Sequence, residues 1–276
     1  MEKFSVLMSL YHKENPHYLD LALKSVFEQT ISPDQVVLIL DGPVGCELME
    51  IVYKYKDIYP FLDIYPQEKN QGLSTSLNIG LEKCRNEIVF RMDTDDICYS
   101  NRFERILEEY GRNQSLELVG SFATMIDEDG VKIKDMIVPV NKEDIYRKVW
   151  TCPFIHPTIS FKKSALLRAG SYNPNSGPRQ DDYELWFRCV ESKLNCKNIE
   201  VPLLYYRFFK DSISRNNINV GWWRAKVGVK GVWRCKCPFI AYIGVCYPLL
   251  RACMPSCIRE LMYKVADKVN PRTQKK

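Results

Sequence analysis

Residues 87–100 read EIVFRMDTDDICYS. A short, mostly apolar run, IVFRM, leads into Asp93, Asp95 and Asp96, three carboxylates in four positions. Like charges at this spacing repel, and burying them unpaired is costly. A chain that places them at the end of a buried strand needs a use for them. Four uses fit the tetrapeptide. The first is an acidic turn or helix cap, which Asp favours. The second, a calcium loop of EF-hand type, fails because Ile97 and Cys98 stand where an oxygen ligand and Gly are required. The third is a carboxylate pair for acid–base work, which needs environments that separate two pKa values. The fourth is a divalent metal site serving a diphosphate, since Mg²⁺ and Mn²⁺ prefer oxygen ligands and Mg²⁺ often uses one or two carboxylates plus substrate phosphates. In extended chain Asp93 and Asp95 point to one side.

The flanking sequence places the cluster. FSVLMSL (4–10) and QVVLIL (35–40) are continuous apolar runs that read as strands buried on both faces. Asn15-Pro16 is a helix start, followed by Leu19, Leu23, Val26 and Phe27 at helical spacing. A helix is expected from about residue 45 to 56, then a short strand FLDIY, a loop at Asn70–Gly72, and a helix through Leu73, Leu77 and Leu81. This alternation predicts an α/β fold with a mostly parallel sheet and helices on its faces. Ligands of such sheets bind beyond the carboxyl ends of the strands. The polar groups there are Tyr11 to Glu14, Asp41-Gly42, Asn70 to Gly72, and Asp93 to Asp96. No G-x-G-x-x-G follows the first strand, against a dinucleotide enzyme, and no P-loop is present. Past residue 110 the pattern changes. Asp129-Gly130 marks a hairpin, HPTISFKKSALLRAG a strand and short helix, SYNPNSGPRQ a loop, and DDYELWFRCVESK a helix.

VLMSLYHKE, LILDG, EKNQGLSTSLNIGL, RMDTDD, HPTISFKKSALLRAGSY and DDYELWFR stand in that order. Together they resemble the family 2 glycosyltransferases, which have the GT-A fold, a Rossmann-like sheet flanked by helices. The resemblance spans about residues 3 to 210. It is closest to bacterial enzymes that build O-antigen or exopolysaccharide repeat units.

The resemblance implies an inverting transfer from a nucleotide sugar, most simply a UDP-hexose. Ser9, Tyr11 and Glu14 would line the nucleotide pocket, and Asp41 would hydrogen-bond the base. The Leu40-Asp41-Gly42-Pro43 stretch departs from the family's usual residues beside that aspartate. Asn70, Gly72 and Leu73 would lie beside ribose and base, Arg91 near the nucleotide, and Asp93 against ribose or sugar. Asp95 would hold Mn²⁺ or Mg²⁺, while Asp96 would orient water at the metal or cap the next helix. DDYELW matches the family's base motif with Asp181 in place of Glu, making Asp182 the catalytic base. The competing reading of Asp181-Asp182 is a helix N-terminus. His156 is assigned to the sugar pocket. Trp186 is either a wall of the acceptor site or core. Arg207 either binds diphosphate or is an exposed strand charge. Two other functions are weighed: a nucleotidyltransferase, whose glycine-rich loop SLYHKENP lacks, and a noncatalytic nucleotide-sugar binding module.

Charge is unevenly distributed. From Arg215 to Lys276 there are 13 Lys or Arg against Glu260 and Asp267, a net +11, leaving the other residues at −6. Trp222, Trp223 and Trp233 interleave with these cations, which suits a membrane interface. PFIAYIGVCYPLL, 238–250, is too short to span. No recognition motif supports nucleic acid. The expected organisation is a catalytic domain, 1–214, and a membrane-associating extension, 215–276, with a helical hairpin packed on the catalytic domain as the alternative for the latter. The N-terminus carries no signal-peptide pattern, and the 11 cysteines have no framework spacing. A cytoplasmic location is expected, peripheral on the inner face of the membrane, with a polyprenyl-diphosphate-linked saccharide as acceptor.

Overall fold

The structure, a computed structural model, describes residues 2–209 and 217–254. The expected boundary at 214/215 and the segment from residue 255 onward lie outside them.

The first ninety residues alternate as the apolar periodicity requires: β1 (Phe4–Leu10), α1 (Pro16–Phe27), β2 (Gln35–Leu40), α2 (Cys46–Ile58), β3 (Leu62–Pro66), α3 (Leu73–Lys83) and β4 (Ile88–Arg91). Asn15 caps α1 by accepting from His17 N at 2.9 Å, with Pro16 in the first turn. β3, β2, β1 and β4 pair in that order, all parallel. Leu10 lies opposite Leu40 and Leu7 opposite Arg91, so β1, β2 and β4 end on one edge. The sequence therefore delivers Tyr11, Asp41 and Asp93 to the same side of the sheet.

The later strands make the sheet mixed. β5 (Ile97–Cys98) pairs antiparallel with β9 (Cys196–Arg207), β8 (Ser160–Lys162) sits antiparallel between β4 and β6 (Leu118–Ile126), and β6 runs parallel to β9. β7 (Lys132–Met136) forms the expected hairpin with β6. Parallel pairing is thus confined to β1–β4 and to β6 with β9. α4 (Arg102–Arg112), α5 (Lys142–Arg147), α6 (Lys163–Arg168) and α7 (Asp181–Glu191) complete the body.

Period-two alternation in the central strands feeds two helical layers. Val6, Met8, Val36 and Leu38 join α1, α2 and α4 in one apolar cluster. Leu7, Val37 and Ile39 join α3, α6 and α7 in the other. Trp186 is fully buried in the second, against Phe154, so of its two readings it is core and not an acceptor wall.

α8 (Ile218–Arg234) and α9 (Ile240–Ala252) form a hairpin docked on α7. The approach is close: a Cβ on Gly231 would overlap the Phe187 ring, and one on Gly228 would meet Val245 and the Tyr183 hydroxyl. The packed hairpin is present over the described part of the extension. No helix among the described residues is long and apolar enough to cross a membrane.

Candidate active site

The acidic turn follows β4 directly and is closed from the opposite side by β9. Ligand oxygens of Asp93, Asp95 and Asp96 lie within 4.8 Å of one another. Each carboxylate is anchored differently. Asp93 forms an ion pair with Arg91, a side chain only 2% exposed. Burial alone would lower the Arg91 pKa, but the Asp93 carboxylate beside it reverses that and keeps the guanidinium charged. Asp96 is buried, and its Oδ1 accepts from the Arg207 backbone N at 2.8 Å. Its Oδ2 has no hydrogen-bond partner among the described residues. Asp95 is held through its carbonyl, which accepts from Arg207 Nε at 2.9 Å.

Arg207 is buried, not an exposed strand charge. Its guanidinium donates to the Asp127 and Glu128 carbonyls at 3.1 and 3.0 Å and lies 4.1 Å from the centre of the Tyr18 ring. Tyr18 in turn donates to Glu128 O at 3.1 Å. One arginine thus ties the acidic turn, the tip of the β6–β7 hairpin and α1 together.

Desolvated carboxylates this close hold protons tightly. Burial, then Asp93, pushes Asp95 up to about 7. Burial, then Asp95 and Asp93, pushes Glu14 up to about 8. Burial and the same two neighbours raise Asp96 well above the carboxylate range. A hard, oxygen-only donor set with excess negative charge and an unpartnered buried oxygen fits Mg²⁺ or Mn²⁺.

Two cavities meet at this turn. The first, about 340 Å³, is lined by Tyr11, Glu14, Tyr18, Asp93, Asp95 and Arg207, among others. The second, about 440 Å³, is lined by Leu73, Asp93, His156, Asp181, Asp182 and Arg224, among others. Asp93 and Tyr206 belong to both. Asp182 lies in the first turn of α7, and its Oδ1 accepts from Tyr183 N at 2.7 Å. Its Oδ2 is met by the Cys152 thiol at 3.6 Å. Asp181 bonds Ser74 on α3, and burial raises its pKa despite that bond. His156 shares a 2.9 Å hydrogen bond with the Tyr172 hydroxyl, and burial followed by the Arg91 charge drives its pKa well below the usual histidine value. It is a neutral imidazole.

The remaining expected residues sit at the same edge in other roles. Asp41 is nearly buried; its carboxylate accepts from Gln71 N at 2.7 Å and Gly72 N at 3.0 Å, and its carbonyl from Asn70 Nδ2 at 3.2 Å. It braces the Asn70–Gly72 loop. Gly42 (φ +88°) is required there, because a Cβ would overlap Asn70 N. Ser9 accepts from Thr94 Oγ1 at 3.4 Å through its carbonyl, but neither Ser9 nor Asn70 and Gly72 line the two cavities. Sequence reading missed Tyr18, Tyr206, Gln180 and Arg224. Tyr206 is flagged only by the aromatic run YYRFF that ends β9, and Arg224 lies in a segment read for charge alone.

Comparison with known proteins bears on the family and the fold. The model of "Glycosyl transferase family 2" matches residues 5–169. A glycosyltransferase of amylovoran biosynthesis from Erwinia amylovora is 36% identical over 220 residues, 79% of this chain and 80% of that protein. The UDP-Gal:alpha-D-GlcNAc-diphosphoundecaprenol beta-1,3-galactosyltransferase of Escherichia coli is 35% identical over 214 residues, 77% of each chain. Among solved structures, S. aureus TarS 1-349 in complex with UDP-GlcNAc superposes with a TM-score of 0.66 at 14% identity, covering 98% of this chain and 76% of that one. At that identity the likeness concerns the fold.

Proposed function

The chain belongs to glycosyl transferase family 2 and is a glycosyltransferase with the GT-A fold, and on that premise we propose how its two cavities divide the reaction. The nucleotide sugar occupies the first cavity and the acceptor saccharide the second, so that the anomeric carbon lies near Asp93. The observation that carries this reading is the wall that the cavities share: Asp93 of the acidic turn lines both, with Asp95 in the first and Asp182 in the second.

The donor is a UDP-hexose, such as UDP-galactose, UDP-glucose or an N-acetylated relative. The acceptor is a saccharide on a polyprenyl diphosphate in surface-polysaccharide synthesis. Support comes from the named substrate of the E. coli relative and from the nucleotide sugar bound by TarS. Asp95 and Asp93 would hold the divalent cation, which when bound neutralises charge on a departing nucleoside diphosphate. Arg91 and Arg207 fix those two residues in place. Asp41 acts through the Asn70–Gly72 loop, Tyr11 and Glu14 line the donor side, and Leu73 and His156 line the acceptor side. Asp182 accepts the proton of the acceptor hydroxyl as that oxygen bonds to the anomeric carbon and the bond to the diphosphate breaks. A single displacement of this kind inverts the centre.

The extension from residue 215 would hold the enzyme peripherally on the inner face of the cytoplasmic membrane. On α8, Trp222, Lys226, Val229, Lys230 and Trp233 recur at helical spacing and all face outward. Such a stripe of aromatics and lysines suits an anionic bilayer surface.

A donor panel tests the reading. Purified protein is mixed with UDP-sugars and a synthetic lipid-diphosphate acceptor, with Mn²⁺, Mg²⁺ or chelator. Transfer from one donor, lost on chelation and giving the inverted anomer, is expected. No transfer from any donor, or full activity in chelator, overturns it.

A further inference from the structure

A third cleft, about 240 Å³, opens between α8, α7 and the loop that precedes α7. Among the described residues its lining shares none with the two cavities of the candidate active site. Four cations line it, Arg188, Lys226, Lys230 and Arg234, against two carboxylates, Glu184 and Glu191. Both carboxylates are taken: Glu184 pairs with Arg188 at 2.8 Å and Glu191 with Arg234 at 3.8 Å. Lys226 and Lys230, one helical turn apart on α8, are left as surplus charge. The Lys226 ammonium lies 4.5 Å from the centre of the Trp223 ring, a contact that attracts the cation without neutralising it. Lys230 has no hydrogen bond or ion pair among the described residues. The uncharged polar groups of the cleft also offer donors. Asn173 Oδ1 accepts from Asn175 N at 3.0 Å, so the amide N–H groups of Asn173 remain free to donate. Ser176 is 3% exposed, and its hydroxyl has no partner among the described residues, which is costly unless a ligand supplies one. Trp223 is held against this loop so closely that a Cβ on Gly177 (φ +93°) would overlap its ring.

We propose that this cleft binds the phosphate of an anionic phospholipid headgroup, with Lys226 and Lys230 matching its charge and Ser176 and Asn173 donating to its oxygens. Hydrogen bonds from ammonium and hydroxyl groups to a phosphate are charge-assisted and strong. A soluble phosphate offers the same oxygens, but the surroundings favour the lipid. Trp222, Val229 and Trp233 are exposed on the same helix. Indoles settle at the headgroup level of a bilayer, which brings the two lysines to the depth of the lipid phosphates. The inference rests on the peripheral attachment proposed above and makes it specific. A diffuse basic stripe responds to total charge, whereas a built cleft responds to particular groups.

Two measurements test it. In the first, monomeric dihexanoyl phosphatidylglycerol is titrated into the full chain by calorimetry, with glycerol 3-phosphate titrated separately. Saturable binding of the lipid is expected, at least about tenfold tighter than glycerol 3-phosphate. Lys226→Gln and Lys230→Gln should each weaken it by about tenfold and Ser176→Ala severalfold. Lys236→Gln removes an equal charge from an exposed position outside the cleft and should leave it unchanged. Absence of saturable binding, or equal weakening by Lys236→Gln, overturns the proposal. Glycerol 3-phosphate bound as tightly as the lipid also overturns it, since the cleft would then read a soluble phosphate. Lys226 and Lys230 are exposed, so their variants separate loss of binding from loss of folding. The second measurement is co-sedimentation of the same variants with phosphatidylglycerol vesicles, in which Lys230→Gln should lose several times more binding than Lys236→Gln. Equal loss in those two variants removes the site and leaves electrostatic attachment standing. If the wild-type chain does not sediment with the vesicles, the attachment proposed above fails, while the titration still decides whether the cleft holds the headgroup.

Discussion

At the scale of single residues, the acidic turn works because its three carboxylates have unlike surroundings. Asp93 pairs with the Arg91 guanidinium, Asp95 is held through its backbone, and Asp96 is buried with one oxygen unpartnered among the described residues. Arg207 is the residue on which this depends. Arg207→Met should weaken Mn²⁺ binding by about tenfold and Arg207→Lys by less, checked by titration, because orienting partners of metal ligands are typically worth that much. Asp182→Asn should cut turnover by at least about a hundredfold while leaving donor affinity intact, since only proton acceptance is removed; full rate in that variant would exclude Asp182 as base. The raised carboxylates also set a pH dependence. Glu14 and Asp95 titrate near 8 and 7 when folded, against about 4 unfolded. The folded chain therefore binds more protons across that window, and the metal-free protein loses stability as pH rises through it. Its melting temperature should fall between about pH 4.5 and pH 8 and level off above that, Glu14→Gln should flatten the fall, and added Mn²⁺ should oppose it at the higher pH.

At the scale of elements, parallel strands β1, β2 and β4 were readable because they are buried on both faces and so apolar throughout. The capped start of α1 and the hairpin at Asp129-Gly130 were readable from local backbone chemistry. What could not be read was the insertion of β8 between β4 and β6, since a three-residue strand carries no periodicity of its own. The role of the hairpin tip was hidden for a related reason: its Asp127 and Glu128 carbonyls meet Arg207 some 80 positions away in the chain. Docking of α8 on α7 is also an element-scale property with a clear test. Gly231→Leu should destabilise the protein by about 1–3 kcal/mol in chemical denaturation, because the Phe187 ring occupies the space the side chain needs. Unchanged stability would show that the hairpin does not pack there.

At the scale of the whole molecule, the charge along the sequence divides into a negative body and a positive extension, and the described part of that extension lines the second cavity through Val220 and Arg224. The outward faces of the hairpin carry Trp222, Trp233, Phe239, Ile240 and Ile243, exposed by 55% or more. The full chain should co-sediment with vesicles containing phosphatidylglycerol and not with purely zwitterionic ones, with salt weakening the association. Trp222→Ala with Trp233→Ala should reduce binding severalfold without changing transfer to a water-soluble acceptor. Equal binding to both vesicle types would exclude an electrostatic surface as the partner.

Local chemistry in the chain was enough to establish the α/β class, the family resemblance, the strand-end positions of Tyr11, Asp41 and Asp93, and the candidacy of Asp95 and Asp182. These follow from periodicity, turn residues and motif order, which act over a few positions. Burial and long-range pairing were settled by folding: Trp186 as core, Asp41 as the brace of a loop, Arg207 as the tie across the acidic turn, and Arg224 as a wall of the second cavity. Each depends on which distant segment lies opposite, and a side chain's electrostatic surroundings do not exist until that segment arrives.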